Sequence, residues 1–432
     1  MVNLVKRAVA YHRTFGTRAL LRRVLNAFDK GMKQQPIAPI TAVGRVSAQE
    51  LLQQRFVATT ALPTYRLPET HGPRVNLVTD SINSGSLFGG VGTALILAAL
   101  LANKLGCNLR LITRTEPARG SALDDFLGVY QLELQRDAEF VFSPCHETKQ
   151  LVGYSEDDVF ITTSWWTTAS TLGSIPAKAI WYLLQEDERM FYPNGDDRRR
   201  CEAVLLREDI HTVINSRLLF DYLCVNGLTH LQRGGSWFEP AFPAHVYAPR
   251  RKPSGTKRTL VFYARPNNLR NLFYLGLEVL DVALSQGVIN PAEWDVILMG
   301  KDIPPFVFSD GTVPQRRHNM AWADYAALVA GSDVGLCLMD TPHPSYPPLD
   351  LAASGAVVVT NQFGNKQDLQ AYSANILCAP ATCAALVAAL ASGLRLAMDT
   401  ERRERNYLAS GLCRDWHQSF EQVLVAMTPV PA

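Results

Sequence analysis

Hydrophobic and polar positions along this chain fall into two alternating series. From residue 74, apolar runs at 75–79, 109–113, 140–142, 159–163, 179–184 and 212–215 predict β-strands. Helical spacing lies between several of them, most clearly over 92–105. A polar stretch with Pro, Arg, Lys and Gly at 248–257 then breaks the rhythm and reads as an interdomain linker. The second series predicts strands at 259–263, 295–299, 334–338, 356–360 and 375–377. Its helices are at 272–285, 322–330 and 349–354, with closing helices at 401–408 and 414–427. Such alternation implies right-handed β-α-β units and mostly parallel sheets. The expected architecture is α/β, with two doubly wound domains whose strand ends face each other across a cleft. Its divisions are an extension and linker at 1–72, domains at 73–247 and 258–412, the 248–257 linker, and a last segment, 413–432, crossing back to the N-terminal domain.

The segment before residue 74 is different. Leu4, Val5, Val9, Leu20, Leu21, Val24, Leu25 and Phe28 recur at helical spacing with basic residues opposite. Residues 1–35 carry eight basic side chains against one acid, a charge of +7 that leaves −5 to the rest of a chain totalling +2. One reading is a patch for anionic lipid headgroups; the other is a helix packed on the body with a solvated basic face. Residues 34–72, with Pro36, Pro39, Pro63, Pro68 and Gly72, read as an arm or linker.

Composition narrows the class. At 432 residues, 47% hydrophobic and 19% charged, the chain has apolar material for sizeable cores and is not a disordered polymer. A total charge of +2 gives no excess for nucleic acid. The eight cysteines are scattered without C-x-x-C pairs and read as reduced cytosolic thiols. The longest apolar run, 93–102, is about half a membrane span, and no signal peptide is expected. The expected location is cytoplasmic, peripheral on the inner membrane face if the basic head meets lipid.

Three stretches carry candidate chemistry. Gly89, Gly90 and Gly92 lie in a glycine turn beginning at Ser84, between the first strand and the first long helix. Backbone N–H groups there can approach an anion, although a tight turn with no ligand uses the same residues. The stretch fits neither a spaced G-x-G-x-x-G nor a Walker loop. Arg265 and Arg270 follow the first strand of the second domain, and two guanidinium groups so placed can clamp a diphosphate. The third stretch runs Asp340-Thr-Pro-His343-Pro-Ser345-Tyr346-Pro-Pro-Leu-Asp350, opening a short helix with Pro347 and Pro348. Asp350 can accept ribose hydroxyls while the amides of Ser345 and Tyr346 hold a phosphate; alternatively it only complements the helix dipole.

Together these stretches resemble the GT-B glycosyltransferases of family 4, over about residues 74–428. In that resemblance Arg265 and Arg270 stand at the basic positions of the donor-diphosphate stretch, and Asp350 at the second acidic, ribose-binding position. The first acidic position is Pro342, and the usual Gly-x-Gly loop is His343-Pro-Ser345. The form His343-Pro-Ser-Tyr-Pro-Pro-Leu349, with Phe88-Gly-Gly-Val-Gly-Thr-Ala94, is similar to the branch of WsaF-type rhamnosyltransferases of surface-glycan synthesis. Tyr182-Leu-Leu-Gln-Glu-Asp-Glu-Arg189 and Asn215-Ser-Arg-Leu-Leu-Phe-Asp-Tyr222 support that branch. The resemblance implies a retaining transferase, a dTDP-β-L-rhamnose donor, no further cofactor, and a saccharide or lipid-linked glycan acceptor.

The acidic pairs Asp124-Asp125, Asp157-Asp158 and Asp196-Asp197 fall in polar turns outside the donor domain, so no metal is expected. The leaving diphosphate would be stabilised by Arg265, Arg270 and helix amides. The His that many relatives carry after a mid-domain strand is absent from Thr163-Ser-Trp165-Trp166-Thr167. Glu186 and Asp187 can orient an acceptor hydroxyl, or pair with Arg189 as turn carboxylates. Trp165 and Trp166 can stack on sugar faces or fill the core, and His343 can contact the donor or only shape its turn. A nucleotide-sugar 2-epimerase and a catalytically inactive nucleotide- or glycan-binding protein are the alternatives.

Overall fold

A computed structural model of the chain describes residues 46–68, 71–83, 89–147, 149–250 and 255–428. Two compact units are formed, Met1–Phe56 and Val57–Ala432. In the first, the described part is the helix Ala48–Arg55. Its capping box is complete: Glu50 N–H donates to Ser47 Oγ at 3.2 Å, and Ser47 N–H donates to Glu50 Oε2 at 2.8 Å. The basic segment 1–35 and its expected helices lie outside the described residues.

The second unit holds two large parallel sheets and a small two-stranded parallel one. Its strands, in chain order, are β1 (Thr64–Arg66), β2 (Arg74–Thr79), β3 (Asn108–Thr113), β4 (Glu139–Phe142), β5 (Val152–Tyr154), β6 (Val159–Thr162), β7 (Ile180–Leu184), β8 (His211–Asn215) and β9 (Gly235–Phe238). The second domain adds β10 (Arg258–Ala264), β11 (Trp294–Gly300), β12 (Gln315–His318), β13 (Val334–Leu336), β14 (Val357–Asn361) and β15 (Ile376–Ala379). The N-terminal sheet runs β4-β3-β2-β6-β7-β8-β9 and the C-terminal sheet β12-β11-β10-β13-β14-β15. In each, the chain grows the sheet one way from its first strand, then returns beside that strand and grows it the other way. The switch points therefore fall between β2 and β6, and between β10 and β13, where such sheets place ligands.

Burial explains the periodicity. The strands β2, β10 and β14 are buried almost along their length because helices cover both faces. The helix Gly90–Leu105 is buried continuously from Gly92 to Ala102. It packs on β2 and β3 and against the last helix, Trp416–Ala426. That helix belongs to the N-terminal domain's core, where the Phe420 and Phe238 rings lie 4.5 Å apart. Arg414 ties the crossings together, donating to the carbonyls of Phe242 at 3.1 Å, Tyr247 at 3.3 Å and Ala353 at 3.0 Å.

Two features depart from the sequence pattern. The edge strands β9 and β12 are polar or glycine-containing and lack the apolar run of a central strand. Within the expected linker 34–72, residues from Val57 onward are folded onto the N-terminal domain. Leu62 is fully buried and its N–H donates to Ser170 O at 3.0 Å, while β1 pairs in parallel with β5. Of the 248–257 linker, residues 251–254 lie outside the described set.

Candidate functional site

The carboxyl ends of the two sheets meet, and their loops carry the candidate residues. Arg265 follows β10 directly, and its Nη1 donates to the Tyr263 hydroxyl at 3.4 Å. Arg270 sits in the next turn, Leu269–Asn271, whose backbone is fastened to the strand-end loop 338–340. Asp340 N–H donates to Arg270 O at 2.7 Å, and Asn271 Nδ2 to Leu338 O at 3.3 Å. The Arg270 guanidinium lies over the Phe191 ring at 4.2 Å and meets Glu186 Oε2 at 3.3 Å. Burial holds its acidity above the usual guanidinium's, opposed by the Glu186 carboxylate and assisted by the charge of Arg265. The two arginines are thus brought together at the C-terminal switch point, one reaching the N-terminal domain.

The proline-rich loop is stitched into the same place. A left-handed Ser345, with φ of 71°, starts the helix Tyr346–Ala353. The Tyr346 hydroxyl accepts from Asn215 Nδ2 at 2.8 Å and also bonds Thr93 Oγ1. Asn215 ends β8, and its Nδ2 also reaches Gln185 Oε1 at 3.2 Å. Gln185 Nε2 in turn donates to Gly90 O at 2.6 Å. Gly89 has φ of +75°, and a Cβ there would stand 3.5 Å from the Tyr346 ring. Gly90 and Gly92 form the first turn of the helix Gly90–Leu105. Gly90 therefore serves the close approach of Gln185, and Gly89 the positive φ that opens the helix; residues 84–88 of the turn lie outside the described set. The helix Tyr346–Ala353 is seated on β13 because Gly335 leaves room: a Cβ there would meet Leu351 Cδ1 at 2.5 Å.

Several expected roles meet different surroundings. The Ser345 amide, expected to hold a phosphate, donates instead to His343 Nδ1 at 2.9 Å. This bond places the neutral imidazole's proton on Nε2, which is buried and unpartnered among the described residues. Burial first, then the charges of Lys366 and Arg270, push the His343 pKa down to about 3, so the ring is uncharged near neutral pH. Asp350 Oδ2 accepts from the Tyr325 hydroxyl at 2.6 Å, leaving Oδ1 buried without a partner. Burial raises this carboxyl to about 7, against the stabilising hydroxyls of Tyr325 and Tyr247.

The two neighbouring acids after β7 separate. Glu186 pairs with Arg270, whereas Asp187 is consumed by Arg189. Arg189 Nε and Nη2 grip the Asp187 carboxylate at 2.8 Å each, a buried bidentate pair that leaves no oxygen edge for an acceptor. The tryptophans separate too. Trp165 is buried, its Nε1 donating to the Tyr192 hydroxyl at 2.9 Å, so it is a core residue and not a stacking platform. Trp166 is half-buried and donates to the Asp80 carboxylate at 3.0 and 3.1 Å, at the end of β2.

Glu188, Lys366 and Asp80 are polar groups of this region that sequence reasoning missed. Glu188 Oε2 accepts Trp165 N–H at 2.7 Å, at the start of the helix Trp165–Leu172, and burial raises its pKa to about 8. Lys366, in the loop after β14, is fully buried and donates to Met339 O at 2.7 Å. Burial brings its pKa down to about 8, with Glu186 pulling it back up. Their position just beyond strand ends was the available signal. Among the described residues, no group of three His, Cys, Asp or Glu side chains is arranged for a metal ion. A hollow of about 300 Å³ lined by Glu208, His211, His230 and Arg233 lies at the opposite, amino-terminal edge of the N-terminal sheet.

Two doubly wound domains joined at their carboxyl edges, with a last helix crossing back, constitute the GT-B fold. Solved structures of low sequence identity share it. Alr3699/HepE of Anabaena, in complex with UDP and glucose, superimposes with a TM-score of 0.55 at 11% identity, over 82% of this chain and 99% of that one. WaaG, a glycosyltransferase involved in lipopolysaccharide biosynthesis, gives 0.53 at 11% identity, over 83% and 100%. The family model for the WsaF N-terminal domain matches residues 74–217, and that for the WsaF C-terminal domain matches 258–391. The chain belongs to the WsaF family. It is 32% identical to the O-antigen biosynthesis protein RfbC of Myxococcus xanthus over 261 residues, 57% of this chain. Those residues are 19% of RfbC, so the chain spans only a minor part of that relative.

Proposed function

We propose that this protein is a glycosyltransferase that moves a sugar from a nucleotide-diphosphate donor onto a saccharide acceptor during surface-polysaccharide synthesis. The observation that carries the proposal is the pair Arg265 and Arg270 at the β10–β13 switch point, with Arg270 touching the N-terminal domain. A diphosphate leaving group needs positive charge where its own charge develops, and two preorganised guanidinium groups supply it. Family membership and the name of the Myxococcus relative support the polysaccharide setting.

In the finer reading the donor is dTDP-β-L-rhamnose and the sugar is transferred with retention by front-face substitution. Arg265 and Arg270 hold the diphosphate without a metal, and Asp350 Oδ1 is the acceptor atom offered to the ribose. The His343 Nε2–H is a neutral donor within the same loop. Trp166 and Asp80, at the β2–β6 switch point, form the acceptor side. The +7 segment 1–35 holds the enzyme on the anionic inner face of a membrane, near a lipid-linked acceptor. The test is a thermal-shift screen with dTDP-, UDP- and GDP-sugars. Stabilisation by dTDP-β-L-rhamnose above the others is expected; stabilisation by none of them would remove the proposal.

A further inference from the structure

We propose that Glu186 is a positioning residue that occupies Arg270 in place of the donor diphosphate and, displaced by it, takes up one proton. The inference rests on the nucleotide-sugar reading of the site. Its basis is an ion pair between domains. Arg270 is fixed from behind by its backbone bond from Asp340 and from one face by the Phe191 ring. Its Nη1 meets Glu186 Oε2 at 3.3 Å, a long contact for an ionic hydrogen bond and therefore readily exchanged. Both side chains are largely buried, at 23% and 12% exposure, so water screens the pair little.

The groups facing Glu186 define what exchange does. Beyond Arg270, the Thr341 hydroxyl and the cation of Lys366 lie on the C-terminal domain side. On its own domain are the Asp187 N–H, donating to Oε1 at 3.1 Å, the neighbouring acid Glu188, and Tyr222. Lys366 is already committed to Met339 O, so Arg270 is the partner that a diphosphate can take. Burial pushes the Glu186 carboxyl above the usual carboxylate range, and Arg270 is the largest influence opposing this. When Arg270 turns to a diphosphate, Glu186 loses a cation and gains an anionic neighbour, and both changes favour its neutral form. A proton then moves from solvent to one Glu186 oxygen. The neutral carboxyl can donate as well as accept, which suits it to hold a sugar or acceptor hydroxyl.

The experiment is isothermal titration of the full chain with dTDP-β-L-rhamnose, UDP-glucose and GDP-mannose in buffers of different ionisation enthalpy. The sugar esters keep their diphosphate fully ionised, so the donor contributes no proton change. At about pH 6.5, Lys366 and Glu188 already hold their protons, while Asp350, at about 7, titrates in wild type and variants alike, so uptake is read as the difference from Glu186→Gln. Wild type is expected to take up a substantial fraction of one proton more per donor bound than Glu186→Gln. In Arg270→Gln the Glu186 carboxyl lacks its cation beforehand, so residual binding should proceed without that excess. Wild-type uptake equal to that of Glu186→Gln overturns the exchange, assigning any proton to another group, and leaves the nucleotide-sugar reading standing. Should Glu186→Gln not fold, wild-type uptake equal to that of Arg270→Gln overturns it likewise. No binding by any donor removes the reading and the exchange together.

Discussion

The hydroxyl of Tyr346 accepts the side-chain amide of Asn215 at 2.8 Å, joining the first residue of a C-terminal-domain helix to the last residue of β8. The same hydroxyl bonds Thr93 in the first turns of the helix Gly90–Leu105. One phenol therefore links both sides of the proposed donor site.

Tyr346→Phe keeps the ring and removes this link. It is expected to cost about 1–3 kcal/mol in urea denaturation, because the Asn215 amide is buried there. Turnover should fall several-fold with the secondary structure unchanged. Stability and turnover equal to wild type would show that the bridge holds nothing.

Asp350→Asn has a pH signature. The folded carboxyl sits at about 7, raised by burial, while the unfolded one titrates near 3.9. Between those values the folded protein retains a proton that the unfolded chain has lost, so wild type loses stability as pH rises from about 4 to about 7. Asparagine does not titrate. The variant should gain on wild type across that window, by at most ~4 kcal/mol, and remain level above it. A stability difference independent of pH would contradict the buried-acid assignment.

The adjacent tryptophans should behave oppositely. Trp165→Ala empties a core position and is expected to cost ~3–5 kcal/mol. Trp166→Phe loses its bond to Asp80 and should raise the acceptor KM while changing stability by less than about 1.5 kcal/mol. The reverse pattern, a stability loss confined to Trp166, would exchange their roles.

If Arg265 and Arg270 neutralise the diphosphate as proposed, the reaction is expected to be independent of divalent ions. Transfer rates measured with and without EDTA are expected to agree within experimental error; a strict metal requirement would contradict this part of the mechanism.

Sequence reading reached the architecture because the central strands β2, β10 and β14 are buried on both faces and so appear as unbroken apolar runs. It passed over β12, whose Gln-Arg-Arg-His is an exposed edge, and β1, whose partner β5 is remote in sequence. The placement of Arg265 and Arg270 just beyond β10 was legible because a strand-end turn is a local feature; Asp350 lies instead beyond the first turn of the helix Tyr346–Ala353. Contacts made across the fold were not. Glu186, Asp187 and Glu188 are consecutive acids, yet one meets Arg270, one Arg189 and one a helix N-terminus. Lys366 looks like an ordinary turn lysine until folding seals it behind Met339. The Ser345 amide looked available for a phosphate because the nearness of His343 Nδ1 depends on the left-handed turn between them.

Sugar transfer itself tests the central claim most directly. Wild type and Arg265→Ala are incubated with dTDP-β-L-rhamnose, UDP-sugars or GDP-sugars and a rhamnosylated acceptor, and acceptor mass is followed by mass spectrometry. The expected result is a mass increase of one sugar residue, with one donor preferred, slowed roughly 100-fold or more by Arg265→Ala. Donor binding with no acceptor elongation across the panel, or equal rates in the two proteins, would contradict the account.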